Sequence, residues 1–233
     1  MPSSHLPRLQ YFSFRGRALA ARVSLFNALG KDGWVDERLS LPRFKKAQPS
    51  FPKPATTAAR TQAEYITNNL PQLNLPCGLK VTQSHAIARY AANLSPPTPP
   101  PHYVRLYPSD PQQALLVDEA VAVVDQILLL TPKDADEATR ARNRTAFHTS
   151  GFLRVGMELL ESRLFDSGGP FLLGDEVTIA DLYIRAPLAD LFDLNQFEGI
   201  PDEFYGEFPR VQACAAAVRE HPLLVAYHQH YKS

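Results

Sequence analysis

The chain has 233 residues, room for one large domain or two small ones. Lys plus Arg and Asp plus Glu both number 24, and the zero net charge argues against a nucleic-acid groove or an anionic membrane surface as the main partner. With 45% apolar residues the chain can fill a core, no run of about 18 apolar residues marks a membrane span, and the start MPSSHLPRL lacks the parts of a signal peptide, so a soluble cytoplasmic protein is expected.

In chain order, LPRLQYF reads as a short strand, and after Phe14-Arg15-Gly16 the run RALAARVSLFNAL has helical spacing and stops at Gly30. WVDERLSL is a second candidate strand. Residues 45 to 69 are polar and proline-punctuated, a long connection with one candidate helical turn in TAARTQAEYI. LPQLNLPCGLKVTQS predicts two strands around a Pro-Cys-Gly turn, and SHAIARYAANL a helix with Ser84 as its N-cap. Seven of the 21 prolines then fall between Pro96 and Pro111, where fixed backbone and missing donors make a linker over residues 95–111.

Behind the linker the period is helical. PQQALLVDEAVAVVDQILLL carries two apolar stripes, Leu116, Ala120, Val123, Ile127, Leu130 and Val117, Val121, Val124, Leu128, which predicts one stripe on the protein's own core and one on a partner subunit. The segment EATRARNRTAFHTSGFLRVGMELLESRLF should break near Ser150-Gly151. VTIADLYIRAPLADLF opens with Thr178 as cap and Asp181 three residues on, with Pro187 as a kink. FPRVQACAAAVREHPLL supplies a last helix, followed by a tail. The expected domains are residues 1–94, α/β, and residues 112–233, all-helical.

Several residues have two readings. Tyr11, at a strand end, is either a half-buried aromatic or a donor poised beside a helix N-terminus that can stabilise an anion. Arg17 is either a solvated charge or a helper at that place. Gln83-Ser84 can cap a helix and hold a carboxylate together. Leu70-Pro71, with Asn69 before it, would present backbone groups outward if cis. Only Cys77 and Cys214 are present, which leaves no disulfide framework and no four-cysteine metal site; no metal is expected, and His228-x-His230 in the tail is a weak metal candidate.

The segment Tyr11-Phe12-Ser13-Phe14-Arg15-Gly16-Arg17-Ala18, the Leu70-Pro71 step before a hairpin, and Leu79 to Tyr90 (LKVTQSHAIARY) together resemble the cytosolic glutathione transferases, most closely the sigma class that includes prostaglandin D synthases. Val117-Asp118 and Leu173-Gly174-Asp175 before Thr178-Ile179-Ala180-Asp181 agree with this. The resemblance implies a thioredoxin-like N-terminal domain, an all-α C-terminal domain, a homodimer, and transfer of glutathione to small apolar electrophiles, with prostaglandin isomerisation or peroxide reduction as variants. A scaffold with little turnover, as in crystallin-like relatives, is the alternative.

The same resemblance makes Tyr11 catalytic and Arg17 its support. It gives Gln83 and Ser84 the γ-glutamyl end of glutathione, Leu70 the cysteinyl unit with Asn69 beside it, and Phe12 and Phe14 the electrophile. Phe44 stands where a tryptophan is common and Gln48 where a lysine often meets the glycyl carboxylate, with Lys45 and Lys46 as nearby substitutes. Asp125 or Gln126 falls where an acidic residue reaches across to the neighbouring subunit.

Overall fold

The computed structural model describes residues 5–47, 64–67, 69–96, 98–194 and 199–231. They divide into two compact units, residues 1–103 with 226–233, and residues 104–225. Most of the long connection at 45 to 69, Gln48 included, lies outside the described residues.

The first unit runs β1 (Arg8–Phe12), a 3-10 turn (Gly16–Ala18) leading into α1 (Leu19–Leu29), β2 (Val35–Leu39), α2 (Leu41–Ala47), β3 (Gln72–Asn74), β4 (Lys80–Thr82) and α3 (Ser84–Ala92). Its four strands lie in the order β2-β1-β3-β4, with β1 parallel to β2 and antiparallel to β3, and β3 antiparallel to β4. Every residue of α1 from Leu19 to Ala28 is buried, and its principal neighbour is α3, where Ala88, Ala91 and Ala92 let two backbones approach. The edge strand β2 carries the charged residues Asp36, Glu37 and Arg38, and charge on an edge strand disfavours pairing with other chains.

The structure moves one cap by a residue. Ser84 is the first helical residue of α3, and the N-cap is Gln83, whose side chain makes no cap hydrogen bond and whose φ of 77° is the one positive value of a non-glycine residue among the described residues.

Between Asn93 and Asp110 the described residues form neither helix nor strand. The second unit then builds α4 (Pro111–Leu130), α5 (Glu137–Thr149), α6 (Phe152–Ser167), α7 (Ile179–Tyr183), α8 (Asp190–Asp193), α9 (Asp202–Gly206) and α10 (Pro209–Glu220). Local chemistry starts several of them. Asp110 accepts N–H bonds from Gln112 and Gln113 at 3.0 and 2.9 Å with Pro111 in the first turn, and Asp136 caps α5 through the Thr139 N–H at 2.8 Å. The expected break falls between α5 and α6, at Ser150-Gly151.

The two stripes of α4 meet a different outcome from the one its pattern suggests. Val117, Ala120, Val121, Val123, Val124 and Ile127 are all buried within this unit, because α4 is packed by both α6 and α7. Gly156 of α6 allows the close crossing, since a Cβ there would stand 2.9 Å from Ile127 Cδ1. The apolar residues of α4 left exposed are Leu115, Leu129 and Leu130.

Pro187 interrupts the helical run as expected: α7 ends at Tyr183, a π turn (Ile184–Ala189) carries non-helical Ala186 and a cis Ala186-Pro187 bond, and α8 resumes at Asp190. The chain's end is a correction. Instead of a tail there is a further helix, α11 (Pro222–His230), because proline fits a first helical turn, and His228 and His230 lie on it. Residues 226–231 belong to the first unit. There Tyr227, His230 and Tyr231 surround Phe26, Tyr231 packs on Trp34, and the Tyr231 hydroxyl donates to the Lys31 carbonyl at 2.9 Å.

Candidate functional site

Strand register gathers distant segments at one end of the sheet. Gln10 pairs with Gln72, and Gln72 with Thr82, so Tyr11, Pro71 and Gln83 each stand one residue beyond a paired position on three adjacent strands. On the other side Phe12 pairs with Leu39, from which α2 leads to Phe44. Four segments far apart in sequence therefore reach the same edge: the Tyr11 turn, the start of α2, the Leu70-Pro71 step and the N-terminus of α3. The Leu70-Pro71 bond is cis.

Tyr11 is 5% exposed, and its hydroxyl accepts the backbone N–H of Arg17 at 3.3 Å. The resemblance implied support from Arg17, and the hydrogen bond between the two residues runs through the Arg17 backbone N–H at the start of the 3-10 turn. With that lone pair engaged, the phenolic proton is what Tyr11 can offer a ligand. Burial raises the Tyr11 pKa above its ordinary value, while the Arg17 N–H and the Arg17 and Arg22 charges pull the other way. The hydroxyl is therefore neutral at physiological pH and able to donate a hydrogen bond.

Gly16 permits this contact. Its φ is +41°, and a Cβ would stand 2.7 Å from the Tyr11 hydroxyl and 2.8 Å from the Phe14 ring. Gly16→Ala should cost about 2 kcal/mol from the left-handed backbone and the clash together. That corresponds to a melting temperature lower by roughly 4 to 8 °C, readable by thermal denaturation.

Around Tyr11 the aromatic rings form a chain. Phe12 and Phe14 lie 5.4 and 5.3 Å from it and stack on each other at 5.5 Å; Phe14 is 58% exposed and so offers a free apolar face. Phe12 meets Phe44 edge-on at 5.6 Å, and Phe44 meets Tyr65 at 5.1 Å. Leu39, Phe44 and Tyr65 are buried together, with Phe12 and Leu70 packed against them, so Phe44 is covered by Tyr65 rather than open.

A polar network fixes residues 64–66. The Gln72 amide donates to Gln10, Asn74 and the Glu64 carbonyl at 2.9 to 3.0 Å and accepts the Ile66 N–H at 2.9 Å. Arg43 bridges Glu37 and Glu64 at 2.8 and 3.4 Å. The Tyr65 hydroxyl has no hydrogen-bond partner among the described residues, and burial first, with Glu64 beside it, pushes its pKa up to about 12. Neither Tyr65 nor this network stands out in the sequence.

Asn69 is exposed and its backbone N–H bonds the Thr67 hydroxyl at 3.2 Å. Ser84 is buried and Gln83 exposed at the helix start, while Lys45 and Lys46 are exposed on α2. Gln48 lies outside the described residues. Asp125 and Gln126 are on α4 in the second unit, half-buried and exposed respectively.

Sequence reading also missed Arg22 and Asp36. Arg22 looks like one cation in an apolar helix, yet its side chain is 2% exposed and pairs with Asp36 at 3.0 Å. The signal was available only as an oddity: an arginine amid Ala, Leu and Val on a helix with no polar face.

Cys77 is exposed in the β3–β4 turn, and Cys214 is buried, donating to Asp181 at 3.4 Å. Among the described residues no three His, Cys, Asp or Glu side chains gather as a metal site.

Comparison with known proteins converges on one family. Residues 126–230 match the glutathione S-transferase C-terminal domain. A class-mu 28 kDa glutathione S-transferase of Schistosoma bovis is 26% identical over 91% of this chain and 88% of its own. Among solved structures, prostaglandin synthase D of Nilaparvata lugens superposes with a TM-score of 0.70 at 17% identity, covering 96% of this chain and 97% of that one. Rat hPGDS in complex with a quinoline gives 0.68 at 23% identity over 96% of both. With its α/β first unit and helical second unit, the chain is similar to the cytosolic glutathione transferases in sequence and fold.

Proposed function

We propose that this protein is a glutathione transferase in which the Tyr11 hydroxyl donates to the glutathione sulfur and holds it as thiolate for attack on an apolar electrophile. One observation carries the reading: a buried, neutral tyrosine hydroxyl fed by the N–H of a helical start, with an exposed aromatic face beside it. A free thiol has a pKa of about 8.5, and each unit of lowering takes about 1.4 kcal/mol. A hydrogen bond to a charged group contributes about 1.5 to 3 kcal/mol, which is one to two units. At the two-unit end of that range the thiolate is the majority form at neutral pH.

Glutathione lies along the shared end of the sheet. Its γ-glutamyl end meets Gln83 and Ser84, its cysteinyl unit pairs with the Leu70 backbone with Asn69 beside it, and its glycyl end lies towards the helix α2, where exposed Lys45 and Lys46 are the charges at hand. The backbone of Gln83 supports this assignment, since a non-glycine residue held at φ 77° costs about 1 to 3 kcal/mol and such residues cluster at ligand sites. Phe12 and Phe14 receive the electrophile. Prostaglandin isomerisation and peroxide reduction are further reactions for the same thiolate, and the fold likeness to two prostaglandin D synthases supports a sigma-class assignment. Exposed Leu115, Leu129 and Leu130 on α4 support pairing of two copies, and two free cysteines fit a cytoplasmic role in detoxification.

The test is conjugation of glutathione to an activated aryl chloride, followed by absorbance. Ser84→Ala should raise the KM for glutathione by about tenfold with little change in kcat, the pattern of lost ground-state binding. Because Gln83 occupies the cap position, the substitution removes no helix cap, and an unchanged melting temperature should accompany the loss. Wild-type protein that binds glutathione without forming conjugate would refute the enzymatic reading.

A further inference from the structure

The Arg22 side chain spends its donors on the turn that carries the candidate site. Nη2 donates to the Phe12 carbonyl at 2.7 Å, Nη1 to the Phe14 carbonyl at 2.8 Å, and Nε to Asp36 Oδ1 at 3.0 Å. Asp36 in turn accepts from Arg38 Nε at 3.0 Å through its other oxygen. Its side chain is 3% exposed, so the pair is dry. The guanidinium carbon stands 5.6 Å from the centre of the Tyr11 ring.

Two carbonyls and one carboxylate are met by one planar group. That takes the fixed fork of arginine; an ammonium is a single point and cannot reach all three in this geometry. Phe12 and Phe14 flank Ser13 directly after Tyr11, and the chain then passes through Gly16 to Arg17, whose N–H returns to the Tyr11 hydroxyl. The loop from Tyr11 to Arg17 is thus held at its middle by Arg22 and closed at its end on the phenol. Burying a charged pair is weak support for stability, because well-packed apolar residues serve as well. Here the Arg22 hydrogen bonds that do not go to Asp36 go to the backbone of this loop.

We propose that Arg22, anchored on β2 by Asp36, is a positioning residue that sets where the Tyr11 hydroxyl meets the sulfur. The proposal rests on the reading of Tyr11 as thiolate donor. Arg22 does not touch substrate. It acts through the backbone between Phe12 and Phe14, and its charge faces the Tyr11 ring. The other charged or titratable groups around this clamp include Arg17 of the 3-10 turn, Asp36 and Arg38 of β2, Tyr227 of α11 and Tyr231 just after it.

The experiment compares Arg22→Lys, Tyr11→Phe and the double variant by titrating the ultraviolet absorbance of the bound glutathione thiolate, with kcat, KM and melting temperature measured alongside. Arg22→Lys keeps the charge and loses the fork, and should raise the bound thiol pKa by about one unit. Its kcat/KM should then fall about fivefold at about pH 6.5 and recover at about pH 9, with glutathione affinity changed less than about threefold. In the Tyr11→Phe background the same substitution should add no further shift. Asp36→Asn, which keeps the guanidinium and only weakens its anchor, should move the thiol pKa in the same direction and serves if Arg22→Lys does not fold. An unmoved thiol pKa with turnover reduced equally at every pH would overturn the proposal, as would a full additional loss on top of Tyr11→Phe. If Tyr11→Phe alone leaves the bound thiol pKa unmoved, the tyrosine reading itself is wrong, and the clamp falls with it.

Discussion

Replacing Tyr11 with phenylalanine should lower glutathione conjugation about 20-fold or more at about pH 7, while glutathione affinity changes little. The size follows from the thiolate fraction. A thiol at its ordinary pKa of about 8.5 is roughly 3% ionised at neutral pH, and one held two units lower is mostly ionised. Phenylalanine keeps the ring that packs against Phe12 and Phe14 and removes only the oxygen that accepts the Arg17 N–H and that we propose donates to sulfur. The deficit should therefore shrink as pH rises towards about 9, where an unassisted thiol ionises by itself. Steady-state rates across that range check the expectation. Full turnover by the variant at neutral pH would mean that another group stabilises the thiolate.

The second large effect is on folding. Asp181 is fully buried and accepts the N–H groups of Leu172 and Thr178 at 2.8 and 2.7 Å, the Thr178 hydroxyl at 2.8 Å and the Cys214 thiol at 3.4 Å. Burial raises its carboxyl pKa and these donors pull it back, while burial, and after it the nearby carboxylate, push the Cys214 thiol up. One side chain thus serves the start of α7, the loop at Leu172 and α10. Asp181→Ala leaves several donors buried without partners at about 1 to 3 kcal/mol each, so a loss of about 4 kcal/mol and of roughly 10 °C in melting temperature is expected. Asp181→Asn should recover part of it, because one oxygen remains for Leu172 while an amide replaces the oxygen that faces Thr178. Urea unfolding of both variants measures the loss, and a change under about 1 kcal/mol for alanine would show that the network is dispensable.

The features legible in the sequence are those written in local chemistry. Thr178 and Asp181 three apart, Pro187 inside a helical run, Ser150-Gly151 between two amphipathic stretches and the Tyr11 strand end each announce their geometry through a few neighbouring residues. What was not legible depends on partners distant in the chain. Arg22 gains its meaning only when the Phe12 and Phe14 carbonyls curl back over α1, and Tyr65 only when it settles on Phe44. Periodicity counted the apolar stripes of α4 correctly and could not say that α6 and α7 would cover the middle of both while leaving Leu130 exposed. Ser84 and Gln83 are one step apart, and a cap with no side-chain bond leaves no compositional trace of which residue holds it. Pro222 reads as a stop after α10 and equally as a first turn, and the aromatic contacts of Tyr227 and Tyr231 decide for the helix.

Those contacts also set a timetable for biosynthesis. The first unit receives residues 226–231 only after every residue of the second unit has been made. While the ribosome works through 104–225, Phe26 and Trp34 lack the cover of Tyr227, His230 and Tyr231. The domain that begins translation is in this sense the last to be finished, and an early stop or a frameshift near position 225 would damage the half of the protein encoded first.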